Sequence, residues 1–168
     1  PLSNFEIRLD DATRPRQDPA ITVTFDLVPV DGDPGPMRIM AWTTTPWTLP
    51  GSRAVAYGPD IDYAVIEIAA AADGSLAVPG EKLVIAEARL ETALAEFGIT
   101  TPNVIATFKG SDLEGTTCRH PLAGQGYDFD VPALAAGFAT TEEGTGIVHI
   151  APGHGSDDWE LGKANAIE

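Results

Sequence analysis

The clearest periodicity in the chain is the alternation over residues 21–30. Ile21, Val23, Phe25 and Leu27 take one face, and Thr22, Thr24 and Asp26 the other. Period two in a β-branched run predicts a half-buried strand. DGDPGP at 31–36 is a turn cluster, and MRIMAWTT at 37–44 reads as a second strand, so 21–44 is predicted to be a hairpin. Pro46 and Pro50 lack the backbone donor that a sheet ladder needs, so residues 45–51 are expected to be irregular and rigid. RAVAY (53–57) and DYAVIEIA (62–69) read as strands with a GPD turn between them, and ADG (72–74) opens a hairpin that EKLVIAEA (81–88) closes.

One segment changes period. Leu90, Leu94 and Phe97 recur at helical spacing and Gly98 follows, which predicts a short amphipathic helix with a glycine stop. NVIATFK (103–109) returns to strand. Residues 111–140 are loop-rich with one strand, and 144–152 form a strand entered through glycine. GHGSDD (153–158) reads as a loop, with a helix over 157–168, and the Pro-punctuated stretch 10–20 as a loop. No internal repeat is present. Six to eight short strands with few helices predict a mainly β (α+β) fold, a closed or nearly closed β-barrel with peripheral helices.

Composition narrows the function. A chain of 168 residues suits one domain, expected over 1–168. With 10 Lys+Arg against 25 Asp+Glu, the net charge is −15, which argues against a surface that grips a nucleic-acid backbone by itself. It leaves room for a nucleic-acid end delivered by a neighbouring domain. The single cysteine, Cys118, excludes an internal disulfide and a Cys-pair zinc site and fits a reducing, cytoplasmic setting. No apolar run is long enough to span a bilayer, no signal peptide is evident, and the chain opens on Pro1, so it is read as a domain excised from a larger protein.

Two stretches could carry chemistry. In Trp42-Thr43-Thr44-Thr45-Pro46-Trp47-Thr48-Leu49-Pro50, consecutive threonines put hydroxyls on both faces of a strand that must end at Pro46. Its freed backbone groups need new partners, and a ligand or a water could serve. Threonine hydroxyls suit holding a water or a ribose, not acting as a base. The plain alternative is a β-rich edge, since Thr and Trp both favour strands.

The second stretch runs from Gly144 to Trp159. His149 in an apolar strand is most simply a packed core histidine, and His154 between two glycines a turn residue. Asp157 with Glu160 three residues on looks like a capping box, which leaves Asp158 less explained. A carboxylate there can bind an ammonium group. The histidine spacing matches no established metal motif, Ser156 sits in no nucleophile elbow, and GTG and GHG lack a phosphate loop's GK[ST] ending.

Together these stretches resemble the editing (connective polypeptide) domain of class I aminoacyl-tRNA synthetases for branched aliphatic amino acids, and most closely the isoleucine-specific branch. WTTTPWTLP (42–50) is similar to that family's threonine-rich motif and GTGIVHIAPGHGSDDW (144–159) to its aspartate-bearing motif; KGSDLEG (109–115) and HP (120–121) match the segment between. Thr45 and Trp47 stand where the valyl and leucyl versions carry other residues. Ser52 departs from the family's usual Asn.

The resemblance implies the synthetase editing fold and hydrolysis of mischarged Val-tRNA(Ile), with isoleucine spared and the adenylate as a further substrate. An extra methylene is worth only about 1–3 kcal/mol in a hydrophobic pocket, and isoleucine against valine is the standard illustration of that limit. The implied roles are Asp158 for the α-ammonium, with Asp157 as runner-up, and His149 as the wall that limits side-chain size. Thr43, Thr44, Thr45 and Trp47 are assigned to the terminal adenosine, the ester and the attacking water, with Gly153 and His154 beside the substrate. No metal or cofactor is expected in this domain, ATP belonging to the parent enzyme. The expected partner is the tRNA 3′-end, presented to a monomer by the rest of the synthetase, away from membranes. The alternatives are a valyl- or leucyl-type editing domain, a non-catalytic aminoacyl-adenosine binding module, and an inactive insertion.

Overall fold

The computed structural model describes residues 17, 19–30, 32 and 35–167. Most of the polar stretch 10–20, part of the 31–36 turn and Glu168 lie outside the described residues. β1 (Ile21–Asp26) and β2 (Arg38–Thr43) form the predicted hairpin, with Ile21 opposite Thr43 and Asp26 opposite Arg38. A 3-10 turn, Pro46–Gly51, follows. Then come β3 (Ala54–Tyr57), β4 (Asp62–Ala71), β5 (Lys82–Ala86), α1 (Leu90–Glu96), β6 (Ile99–Lys109), β7 (Thr117–Arg119), β8 (Asp130–Ala135), β9 (Ile147–Ile150) and α2 (Ser156–Ala164).

The strands make one sheet in the order β6-β4-β5-β2-β9-β3-β8-β7, with β1 branching from β2. The pairing returns on itself. Leu27, just past β1, bridges Cys118 in β7, and Val28 N–H donates to Thr117 O at 2.9 Å. β1, β2, β9, β3, β8 and β7 therefore form a ring, and β5, β4 and β6 extend from β2 as a flange. Within the ring, closure removes edges that would otherwise pair with other chains, while β6, among the described residues, pairs only with β4 and ends the flange.

Strand alternation sorts the core. Val84 and Ala86 of β5 join Phe25, Ile39, Val55 and Tyr63 inside the curl. Leu83 and Ile85 turn to the opposite face, where they pack with Met40, Ile66, Ile68 and Ala93 of α1. A third cluster, Ala54, Ala56 and Ile150, is covered by Leu161 of α2. Both helices thus back the sheet. Tyr63 is fully buried; its hydroxyl donates to Gly146 O at 2.7 Å and accepts Gly58 N–H at 3.1 Å, and burial pushes its pKa up to about 12.

Several predicted boundaries shift for tertiary reasons. β6 begins at Ile99 rather than 103 because its pairing with β4 continues, through register shifts, to Ala71 opposite Ile99. Residues 111–140 hold two strands, β7 and β8, whose short antiparallel pairing completes the ring. β9 starts only at Ile147, since Gly144 and Gly146 take φ of +65° and +81°. A Cβ on Gly144 would come within 2.6 Å of the Trp42 Cβ. The cap expected at Asp157 is corrected. α2 is capped by Gly155 in extended conformation, without a side-chain cap bond, and both aspartates fall in its first turn, where the helix dipole favours them.

Candidate functional site

β2 and β9 run side by side, with Trp42 opposite Val148. That pairing carries the end of the threonine stretch to His149, although they are about a hundred residues apart in sequence. Past β2 the prolines deny the chain a ladder, and it tightens into the 3-10 turn. Side chains at i and i+3 eclipse in that geometry, so Thr45 and Thr48 stack. Thr45 N–H donates to Thr43 Oγ1 at 3.1 Å, and the Thr48 hydroxyl donates to Thr45 O at 2.7 Å. The hydroxyl oxygens of Thr43, Thr45 and Thr48 follow one another at 3.3 Å spacings.

Thr48 Oγ1 also lies 3.1 Å from His149 Nε2. The Thr48 hydroxyl has one proton, and Thr45 O takes it, so Nε2 is the donor to Thr48. A neutral His149 then bears its lone pair on Nδ1, which is buried and makes no hydrogen bond among the described residues. Burial is the main force holding the His149 pKa below its usual value; the Asp158 carboxylate opposes this, and His120 and His154 add to it.

From the other side, the 151–158 bend is closed by Asp158, whose Oδ2 accepts Ala151 N–H at 2.8 Å. That bond uses one of the acceptor positions of the carboxylate and leaves the others. His154 is held by its own N–H on Ala151 O at 2.9 Å. Its ring rests against Gly51, where a Cβ would lie 3.5 Å from the His154 Cδ2. The two sequence stretches therefore meet.

Between them is a cleft of ≈ 250 Å³. Thr43, Thr44, Thr45, His149, His154 and Asp158 line it, joined by Trp42, Thr48, Val148 and Gly155. Trp47, Asp157 and Gly153 do not; all are exposed, Trp47 by 65%. Thr48 is the residue that sequence reasoning passed over. Its signal was available: three residues after Thr45 in a proline-bounded segment is the 3-10 repeat. Larger hollows of ≈ 520 and ≈ 600 Å³ lie against Arg38 and Glu81 without a comparable convergence of hydroxyls, imidazoles and carboxylate.

The lining limits the chemistry. Among the described residues that line it there is no lysine or arginine to balance a phosphate. Hydroxyls suit an ester or a water, and the lone carboxylate suits an ammonium. No threonine can act as a base near neutrality. Among the described residues, no group of three or more His, Cys, Asp and Glu side chains could hold a metal ion.

Comparison with known proteins gives the family. The chain is 44% identical over 153 residues to the isoleucine–tRNA ligase of Gluconobacter oxydans, covering 88% of this chain and 16% of that protein. It is 43% identical over 174 residues to the isoleucine–tRNA ligase of Mycobacterium tuberculosis, covering 99% of this chain and 15% of the relative. The chain belongs to the isoleucyl-tRNA synthetases. It spans about a sixth of the length of these synthetases. Its fold is that of the class I synthetase editing domains. The P. knowlesi cytosolic leucyl-tRNA synthetase editing domain superposes with a TM-score of 0.68 at 14% identity, covering 89% of this chain and 65% of the other. The P. falciparum counterpart gives 0.58 at 16% identity, covering 74% and 44%. No family profile matches the chain. No helix among the described residues is long and apolar enough to cross a membrane.

Proposed function

We propose that this chain is the part of an isoleucyl-tRNA synthetase that hydrolyses valine misattached to tRNA(Ile). The observation that carries the reading is the convergence of the threonine turn, His149 and Asp158 on one cleft, whose described lining holds no lysine or arginine. Such a lining fits an aminoacyl ester, which offers an ammonium and a neutral carbonyl, better than it fits a phosphate.

In this reading Asp158 takes the α-ammonium through the carboxylate positions that Ala151 leaves open. The amino-acid side chain then faces His149, whose ring is fixed by Thr48 and admits valine but not the extra methylene of isoleucine. Thr44 is exposed in the cleft and its hydroxyl makes no hydrogen bond among the described residues, so it is free to hold the attacking water or a ribose hydroxyl. Thr43 and Thr45 bond to each other and shape that position. Trp47, beside the cleft and open to solvent, offers a stacking surface for the terminal adenine. Orientation of ester and water accounts for the rate, with a terminal tRNA hydroxyl assisting proton transfer.

The charge of −15 requires that other parts of the synthetase bind the tRNA body and deliver its 3′-end. The reading places the domain in a cytoplasmic monomeric enzyme and needs no cofactor in this cleft. The test is deacylation by the full-length synthetase. Val-tRNA(Ile) is expected to be hydrolysed and Ile-tRNA(Ile) to survive. Binding of an aminoacyl-adenosine analogue without turnover of Val-tRNA(Ile) would replace this reading by that of a non-catalytic module.

A further inference from the structure

Local hydrogen bonds close the 3-10 turn that presents the threonines, between Thr45 and Thr43, between Thr48 and Thr45 and between Ser52 and Leu49. Its N-cap, Thr45, makes no side-chain cap bond, and Pro50 has no N–H. Ser52 at its C-terminal end is fully buried, yet its hydroxyl has no partner among the described residues. The C-terminal half of the turn receives a further, long-range anchor from the β7–β8 connection. His120 is 2% exposed, and its Nε2 lies 3.0 Å from Leu49 O. Leu122 N–H donates to its Nδ1 at 3.1 Å, so a neutral ring carries its proton on Nε2 and donates to Leu49. Burial, the largest influence on its pKa, favours that neutral form.

The ring is clamped. Tyr127 stacks on it with centroids 5.0 Å apart and planes 17° apart, and Phe129 meets it at 5.0 Å and 52°. Arg53 lies over the Phe129 ring at 4.5 Å. Leu49 O is also the carbonyl that accepts Ser52 N–H at 2.9 Å, so His120 holds the atom on which the turn closes. Leu49 follows Thr48, and Thr48 holds His149.

We propose that His120 is a positioning residue for the cleft. Through Leu49 it fixes where the Thr48 hydroxyl sits, and through Thr48 it fixes the orientation of the His149 wall. The proposal rests on the editing reading, for it assigns to His120 an influence on the choice between valine and isoleucine. Its effect belongs in turnover and selectivity rather than in binding of the tRNA end, because His120 does not line the cleft.

The test uses the full-length synthetase and two variants. In H120N the shorter amide can still meet Leu122 N–H but leaves Leu49 O without its donor. In H120Q the longer amide reaches Leu49. Loss of one buried hydrogen bond predicts that H120N lowers kcat for Val-tRNA(Ile) deacylation about tenfold, leaves KM within about twofold and raises Ile-tRNA(Ile) hydrolysis relative to valine. H120Q is expected to recover kcat to within about threefold of wild type. Amide hydrogen exchange over residues 42–52 supplies a readout independent of activity: about tenfold faster in H120N and near wild type in H120Q.

Wild-type kcat, selectivity and exchange in H120N would overturn the proposal. If H120N does not fold, H120Q decides: a folded H120Q with restored kcat and protection supports the anchor, and a folded H120Q with neither refutes it. D158N, assayed alongside, separates the two readings. Active wild type with impaired D158N and unimpaired H120N sinks the His120 role alone. A wild type that spares Val-tRNA(Ile) sinks the editing reading and, with it, the influence on selectivity.

Discussion

Replacing Asp158 by Asn separates the two things its carboxylate does. Asn retains an oxygen that can accept Ala151 N–H, now bonded at 2.8 Å, so the 151–158 bend is kept. What is lost is the negative charge offered to the α-ammonium. A hydrogen bond to a charged group is worth about 1.5–3 kcal/mol, and because Asp158 is only half-buried, solvent screening selects the lower part of that range. About 1.5–2 kcal/mol corresponds to a fall of roughly 10- to 30-fold in kcat/KM. The assay is release of valine from Val-tRNA(Ile) by the full-length enzyme. A second substrate makes the reasoning strict: the ester of the α-hydroxy analogue of valine has no ammonium, so wild type and D158N should cleave it at similar rates. A D158N enzyme within about twofold of wild type on Val-tRNA(Ile), or an equal loss on both esters, would refute the ammonium contact.

Other expectations follow from the same geometry. H149A removes the ring that faces the cleft and should make Ile-tRNA(Ile) a substrate, visible as loss of cognate product on incubation; unaltered survival of that product would move the wall elsewhere. G110A should destabilise the domain by about 3 kcal/mol or more, because a Cβ there would lie 2.0 Å from Gly58 O, a backbone atom that cannot step aside; thermal unfolding measures it. W47A should raise KM for the charged tRNA while changing stability by less than about 0.5 kcal/mol, since Trp47 is mostly solvated. His120 and His149 both titrate below the ordinary histidine value of 6.5, with burial the largest cause. The unfolded chain takes up these protons first as pH falls, so stability is full above 6.5 and declines as pH drops through the folded pKa values. Melting temperatures measured downward from neutral pH should fall in that window, and less steeply in H149Q.

Local pattern sufficed wherever a residue's neighbours in sequence are also its neighbours in space. The 21–44 hairpin, the helix from Leu90 with its stop at Gly98, and the break at Pro46 all rest on alternation, helical spacing or proline stereochemistry, and each is found at or near its predicted position. The residues of the two chemistry-bearing stretches were legible for the same reason, as departures from ordinary strand composition. Tertiary structure decided what those stretches face. Trp42 lies beside Val148 only because the sheet order sets β9 against β2, and Leu27 meets Cys118 only because the strands close a ring. Asp157 and Asp158 are adjacent in a good capping context, yet Gly155 caps the helix and Asp158 turns back to Ala151. His120 reads as one residue of a turn dipeptide, and nothing local points from it to Leu49, 71 positions away. Such partners are chosen by packing and by the need of every buried polar group for a hydrogen bond, a condition on the folded whole that no short window of sequence contains.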